Sequence, residues 1–328
     1  MPVKRSNRFT RGIVVLGLAI GALACAAAPA APDSITTTVP AMKARLAAKV
    51  PLTGIARAGN TLVAVGDYGM VVRSTDGGNT WQQAEGPVSA LLTAVHFVDE
   101  RHGWAVGHGG VILGSDDGGA SWKLLEVLDE RPVLLSVHFL DAKRGYVTGA
   151  YGVAFRTADG GRSWTPMAVG SGQDADYHLN HLFSVRDGTL FIAGESGLAF
   201  RSTDRGASWT KLDTGVSGSL WSGFELGGGE VVLLGMSGKV ITSRDGGDTW
   251  QARDTGTEQS LTSGITTTDG GVIVVGAGGV VLRGKGSGPL QLEIRPDRQN
   301  LAAVMTAPDS GGVVVAGQLG VERLVPAR

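Results

Sequence analysis

Five copies of one octet constrain this chain more than any other feature. Ser74-Thr75-Asp76-Gly77-Gly78-Asn79-Thr80-Trp81 follows the pattern Ser/Thr-x-Asp-x-Gly-x-Ser/Thr-Trp. The pattern returns at Ser115 to Trp122, Thr157 to Trp164, Ser202 to Trp209 and Ser243 to Trp250. The aspartates Asp76, Asp117, Asp159, Asp204 and Asp245 step by 41, 42, 45 and 41 residues. So even a period marks a repeat architecture, in which each unit buries its apolar face only against its neighbours. Within the octet, an Asp and a hydroxyl residue bond nearby backbone N–H groups, and Gly supplies positive φ, so the segment reads as a tight turn. Trp81, Trp122, Trp164, Trp209 and Trp250 open the next strand and are positioned to cover the turn. The five aspartates and five tryptophans therefore read as structural.

A second repeat extends the count. Gly-x-x-Gly precedes each octet, at Gly66/Gly69, Gly107/Gly110, Gly149/Gly152, Gly194/Gly197 and Gly235/Gly238. It continues without an octet at Gly276/Gly279 and Gly317/Gly320, and its first glycines step by 41, 42, 45, 41, 41 and 41. The flanking Val-rich runs make it a second hairpin turn. Each period thus reads as four short antiparallel strands, which is a propeller blade, and seven blades closing into a ring leave only short, protected edges. The expected fold is all-β, a seven-bladed β-propeller with four-stranded antiparallel blades. The blades fall at about 51–86, 88–128, 131–170, 175–214, 217–255, 258–294 and 298–328. Blade 6 carries Gly284 to Leu290 where its octet belongs. Blade 7 shows three strands, and a strand from residues 34 to 50 is expected to complete it.

Residues 1–30 read as a cleaved secretory signal peptide. Lys4, Arg5, Arg8 and Arg11 precede a 13-residue apolar stretch, Gly12 to Ala24, too short to span a bilayer comfortably. Ala28-Pro29-Ala30 fits a cleavage site. Cys25, the single cysteine, follows Ala22-Leu23-Ala24, an imperfect lipoprotein box, so the mature chain is expected to be exported, thiol-free and without a lipid anchor. Removing the leader takes four Lys/Arg and no Asp/Glu, so the formal charge of −1 becomes −5. A mildly acidic domain does not suit nucleic acid.

The residues ahead of each octet occupy one strand position: Arg73, Gly114, Arg156, Arg201, Thr242, Arg283 and Arg323. Two readings stay open for the arginines. They could stack and pair between blades, or form a binding row. The Gly-x-x-Gly tips vary instead: Asp67-Tyr68, His108-Gly109, Ala150-Tyr151, Glu195-Ser196, Met236-Ser237, Ala277-Gly278 and Gln318-Leu319. Variable tips on a rigid frame suit protein recognition, which singles out Tyr68, Tyr151 and Glu195. No catalytic set is expected. Of the four tyrosines only Tyr177 lies outside the repeat, so a sialidase-type site is poorly supplied. His178 and His181 beside Asp174 and Asp176 are spaced as ligands but lack a third clear neighbour, so no metal is expected. His96 and His138 share one repeat position and read as packing.

The octet resembles the Asp-box, or BNR repeat, of sialidases and related propellers. The longer pattern Gly-x-x-Gly-x-x-x-Arg-Ser-x-Asp-Gly-Gly-x-Thr-Trp, best carried by Gly66 to Trp81 and Gly194 to Trp209, resembles the photosystem II stability/assembly factor family. That resemblance implies a non-enzymatic, monomeric scaffold without a cofactor, in a thylakoid lumen or a periplasm. Its partner would be a membrane protein complex or its periplasmic or lumenal loops, with the arginine row involved in binding. Similar proteins occur in non-photosynthetic bacteria alongside resistance–nodulation–division exporters. The alternative from the Asp-box alone is a periplasmic glycan-binding protein or a sialidase-like glycoside hydrolase.

Overall fold

A computed structural model of the chain describes residues 39–309 and 312–324. The signal-peptide reading, Cys25 and residues 34–38 lie outside them. Described residues 39–50 hold no strand. They contribute a short 3-10 turn, Ala47–Lys49. This segment runs beside blade 1, where Ala41 N–H donates to Gly86 O at 3.1 Å and Ala44 N–H to Gln83 Oε1 at 2.9 Å. It reaches blade 7 where Ala47 joins the apolar cluster containing Val321.

Seven antiparallel sheets follow one another along the chain. Six have four strands each, beginning at Leu52, Leu92, Leu134, Leu179, Leu220 and Leu261. The seventh, Leu301–Thr306, Val313–Gly317 and Gly320–Leu324, has three among the described residues. The first strand of each blade touches that of the next, and Leu301–Thr306 touches Leu52–Ala58, so the ring closes with first strands innermost. Blade 7 and blade 1 share one core of Leu52, Ile55, Leu62, Val72, Val314 and Val321. The second strands are almost wholly buried, as in Leu62 to Val65 and Val231 to Leu234, because both of their faces pack on neighbouring blades.

An innermost strand has a free inner edge, whose buried carbonyls and N–H groups must find partners. Side chains of the preceding blade supply them. Thr53, Thr93 and Thr262 hydroxyls donate to the carbonyls of Leu92, Leu134 and Leu301 at 2.6, 2.6 and 2.7 Å, and Asn180 Nδ2 to Leu220 O at 2.9 Å. His96 Nδ1 accepts the Phe139 N–H at 3.3 Å and His181 Nδ1 the Gly223 N–H at 3.2 Å. Ser136 Oγ accepts the Leu182 N–H at 3.0 Å. Each such bond stabilises by about 1 kcal/mol. His96 and His138 rings lie 4.6 Å apart in this hub. Burial, then the nearby His181, pushes His96 down to about 4, and burial takes His181 itself to about 4.

Candidate functional site

Strand connectivity puts two kinds of turn on opposite sides of the ring. The octets join third to fourth strands on one side. The Gly-x-x-Gly turns and the connections between blades lie on the other, which we call the tip side.

On the octet side, each turn satisfies itself. Asp76 Oδ1 accepts the Ser74 hydroxyl at 2.8 Å and the Thr80 N–H at 2.9 Å, and its Oδ2 takes the Thr80 hydroxyl at 2.6 Å. Ser74 Oγ accepts the Gly78 N–H at 2.8 Å, and the Trp81 indole donates to Gly78 O at 3.1 Å. The aspartate bonds recur at Asp117, Asp159, Asp204 and Asp245. The Thr80 hydroxyl, its N–H and the Ser74 hydroxyl hold Asp76 down at about 2, and Ser208 and Ser202 do the same for Asp204. Trp122 and Trp164 repeat the indole bond. Trp209 and Trp250 keep the position, but their indole N–H groups have no partner among the described residues.

The arginine row lies in the grooves between blades. Arg73, Arg156, Arg201, Arg283 and Arg323 pair across the sheet with Val63, Tyr146, Phe191, Ile273 and Val314, one register position throughout. Arg73 Nε donates to Gly118 O at 3.1 Å, Arg201 to Gly246 O at 2.8 Å, and Arg323 to Gly77 O at 3.0 Å. Each acceptor is the residue after the octet aspartate of the following blade. These three arginines are staples between blades. The Trp104 indole and the Tyr146 hydroxyl reach the same carbonyl, on Gly160 and Arg205, at 3.0 and 2.8 Å. Trp104 also stacks on Phe139 at 3.5 Å and 4°. Trp104 thus replaces the arginine missing at Gly114. Tyr146 leaves Arg156 exposed, with no hydrogen bond or ion pair among the described residues. Arg283 pairs with Glu293 at 3.4 Å.

The tip side leaves groups over. Gly69 and Gly197 have φ of +67° and +75°, and a Cβ on either would fall 1.8 and 1.7 Å from the carbonyls of Val88 and Val216 in the inter-blade connections. Glycine is required because the turn is pressed onto that connection. The residue before it is left-handed as well, including Tyr68 at φ 58° and Tyr151 at φ 55°. Both rings point outward, 60% and 77% exposed, and Met236 and Leu319 add exposed apolar tips on blades 5 and 7. Tyr151 and Glu195 come together through His178, which the sequence reading had weighed only as a metal ligand. The His178 ring meets the Tyr151 ring edge-on at 4.8 Å and accepts the Tyr151 N–H at 3.2 Å, while Glu195 Oε2 accepts the His178 N–H at 3.2 Å. His181 goes to the hub instead, so the two histidines diverge. The described residues hold no group of three or more His, Cys, Asp or Glu able to bind a metal. Tyr68 stands two blades from this cluster. None of the described helices is long and apolar enough to cross a membrane.

Seven blades close into a ring, five of them carry the octet, and side chains of one blade are stapled to turn carbonyls of the next. The chain belongs to the family described as photosynthesis system II assembly factor YCF48, which matches residues 73–132 and 122–285. No curated protein matches it in sequence. Among solved structures it is similar to "YCF48 bound to D1 peptide", with TM-score 0.69 and 18% identity over 85% of this chain and 95% of that one. YCF48 from Cyanidioschyzon merolae matches with TM-score 0.67 and 17% identity over 85% and 96%. A streptogramin B lyase matches with TM-score 0.73 and 11% identity over 84% and 93%. At such identities the likeness is one of fold, and that fold carries enzymes as well as assembly factors.

Proposed function

We propose that this chain is an exported, monomeric, non-enzymatic scaffold that assists the assembly or stability of a membrane protein complex. Its tip side would hold a periplasmic or lumenal segment of that complex. The observation that carries the reading is the pair Tyr68 and Tyr151. An L-residue in the left-handed region loses about 1 kcal/mol, and blades 2 and 6 place glycine at the same position, as Gly109 and Gly278. Keeping an exposed tyrosine at such a site favours a surface selected for contact, since tyrosine gives large contact area at low entropy cost. Family membership and a peptide-bound relative support the same class of function.

The test is a crosslinked pull-down of the mature protein from its host's membranes, against a Tyr68→Asn/Tyr151→Asn double variant and Glu195→Lys. Subunits of one membrane complex should be recovered by the parent and lost with the tip variants, each of which should still fold and melt cooperatively. Equal recovery by all three would remove the tip side from the reading. Retained glycan without protein would move the weight to a carbohydrate-binding propeller.

A further inference from the structure

Each of the seven first strands carries a bulge just after its leading leucine, where the pairing register slips and one residue is left unpaired. A bulge re-aims the side chain of that residue. First strands line the hole of the ring, and the bulges lie beside the inter-blade connections, so these side chains stand at the tip-side mouth of the hole. Four of them serve the frame. Thr53, Thr93, Asn180 and Thr262 each donate to the leading carbonyl of the next first strand, at 2.6 to 2.9 Å. The other three are Leu135, Trp221 and Ala302.

Trp221 departs furthest from the rule. Its indole makes no hydrogen bond among the described residues, and it is 39% exposed. A threonine there would be placed to reach the Leu261 carbonyl as Thr53 reaches that of Leu92, a bond worth about 1 kcal/mol. Leu135 and Ala302 forgo the bond too, but both are half-buried. A residue that breaks a local rule without structural return marks a functional position, and tryptophan is enriched among interface anchors. The tips of blades 3, 4 and 5, with Tyr151, Glu195 and Met236, flank it. Among the described residues, none of the large exposed hydrophobics lies in an octet. The charges of this sector have mostly one sign. Asp176, Asp213, Asp254 and Glu258 are exposed in the inter-blade connections, and none makes an ion pair among the described residues. Of the cations, Lys211 is held by Asp174 at 2.7 Å and the half-buried Arg253 donates to Gly288 O. Lys239 alone is exposed and unpaired among the described residues of this sector.

We propose that Trp221 anchors the tip-side surface and that its occupant is a basic polypeptide segment, which lays an arginine or lysine on the indole and sets further cations among Asp176, Asp213 and Glu258. Charge selects this occupant. A cation over an indole face is attracted by the ring and by carboxylates of the same sector, which repel an acidic segment or an anionic lipid surface. The inference deepens the function proposed above and rests on its tip-side reading.

The probes are two sets of immobilised short peptides, one rich in Arg and Lys and one rich in Asp and Glu, exposed to the full mature chain and to Trp221→Thr. The parent should bind the basic set alone, and Trp221→Thr should weaken that binding roughly tenfold or more. The substitution restores the hydroxyl found at Thr53 and Thr262, so the melting temperature should hold or rise. Equal binding by parent and variant, no binding of either set, or preference for the acidic set would overturn the proposal. A variant that melts lower would overturn it too, because Trp221 would then be a packing residue. The membrane pull-down separates this inference from the reading beneath it. Recovery lost with Tyr68→Asn/Tyr151→Asn but kept with Trp221→Thr would leave the tip-side function standing and remove the anchor. Equal recovery by every variant would remove both.

Discussion

The octet side and the tip side are built from turns of similar length, yet they differ in what they leave unused. In an octet the carboxylate and both hydroxyls are bonded within a few residues, and the next carbonyl is taken by the neighbouring blade. On the tip side the two glycines are fixed by their surroundings, while much of Tyr68, Tyr151, Met236 and Leu319 stands in solvent. The lesson is that repetition and display exclude each other. A turn whose polar groups are all internal can be copied five times, and a turn whose frame is backbone alone is free to vary at its tip.

The sharpest way to break this comparison is to attack the frame of a tip. Gly197→Ala places a Cβ against Val216 O at a φ of +75° and should destabilise by about 3 kcal/mol or more, seen in urea unfolding. Gly188→Ala has open space around it and should lose only the left-handed penalty, about 1 kcal/mol. Near-equal losses would mean the tips are loosely held.

Acid separates the hub from the octets. His96 and His181 are lowered from 6.5 to about 4 by burial in the folded hub, so the unfolded state takes up protons first. Stability is full above 6.5, falls by a few kcal/mol in total as pH drops toward 4, and then levels. The octet aspartates act lower. With Asp76 and Asp204 held at about 2, their contribution is complete above 3.8 and lost as pH falls through 2. Melting temperatures from pH 8 to 2 should therefore decline in two stages. A His96→Gln/His181→Gln variant should flatten the upper one. A single decline below pH 4 would rule out the hub assignment.

Ser74→Ala leaves the buried Gly78 N–H without its acceptor and should lower stability by about 2 kcal/mol while partner binding stays unchanged. The smallest effect should be Tyr68→Asn. Asn tolerates the left-handed region, so stability should rise by up to about 1 kcal/mol while partner binding weakens. Stability and binding that fall together would show Tyr68 to be a packing residue.

Much of this architecture was legible because its signals are local. The octet and the Gly-x-x-Gly turn each lie within eight residues, and their register gives seven units, the number of sheets in the ring. What the sequence hid lies between blades. The arginine row was readable as a register, but its acceptors lie 45 residues ahead in Arg73 and Arg201, so the choice between staple and binding row stayed open. The exchange of Arg for Trp104 and Tyr146 was equally hidden. Three unlike donors serve one carbonyl, and only geometry makes them equivalent. His178 and His181 are three residues apart and look paired on paper. Alternation along an extended strand sends one to the tip side and the other into the hub. Of the stretch expected to supply a closing strand, residues 34–38 lie outside the described residues, and Ala47–Lys49 turns as a 3-10 segment against blade 7.

The Arg323 to Gly77 bond joins residues 246 positions apart, and the blade 7 to blade 1 core surrounds it. Early blades need only their immediate successors, so they can form in order as the polypeptide lengthens. The circle itself waits for the last strand, because the entropy of closing so long a loop is recovered only once that contact exists. A nascent copy of this protein is therefore an open arc with bare blade faces at both ends. Its most vulnerable interval is set by the arrival time of residues 301–324.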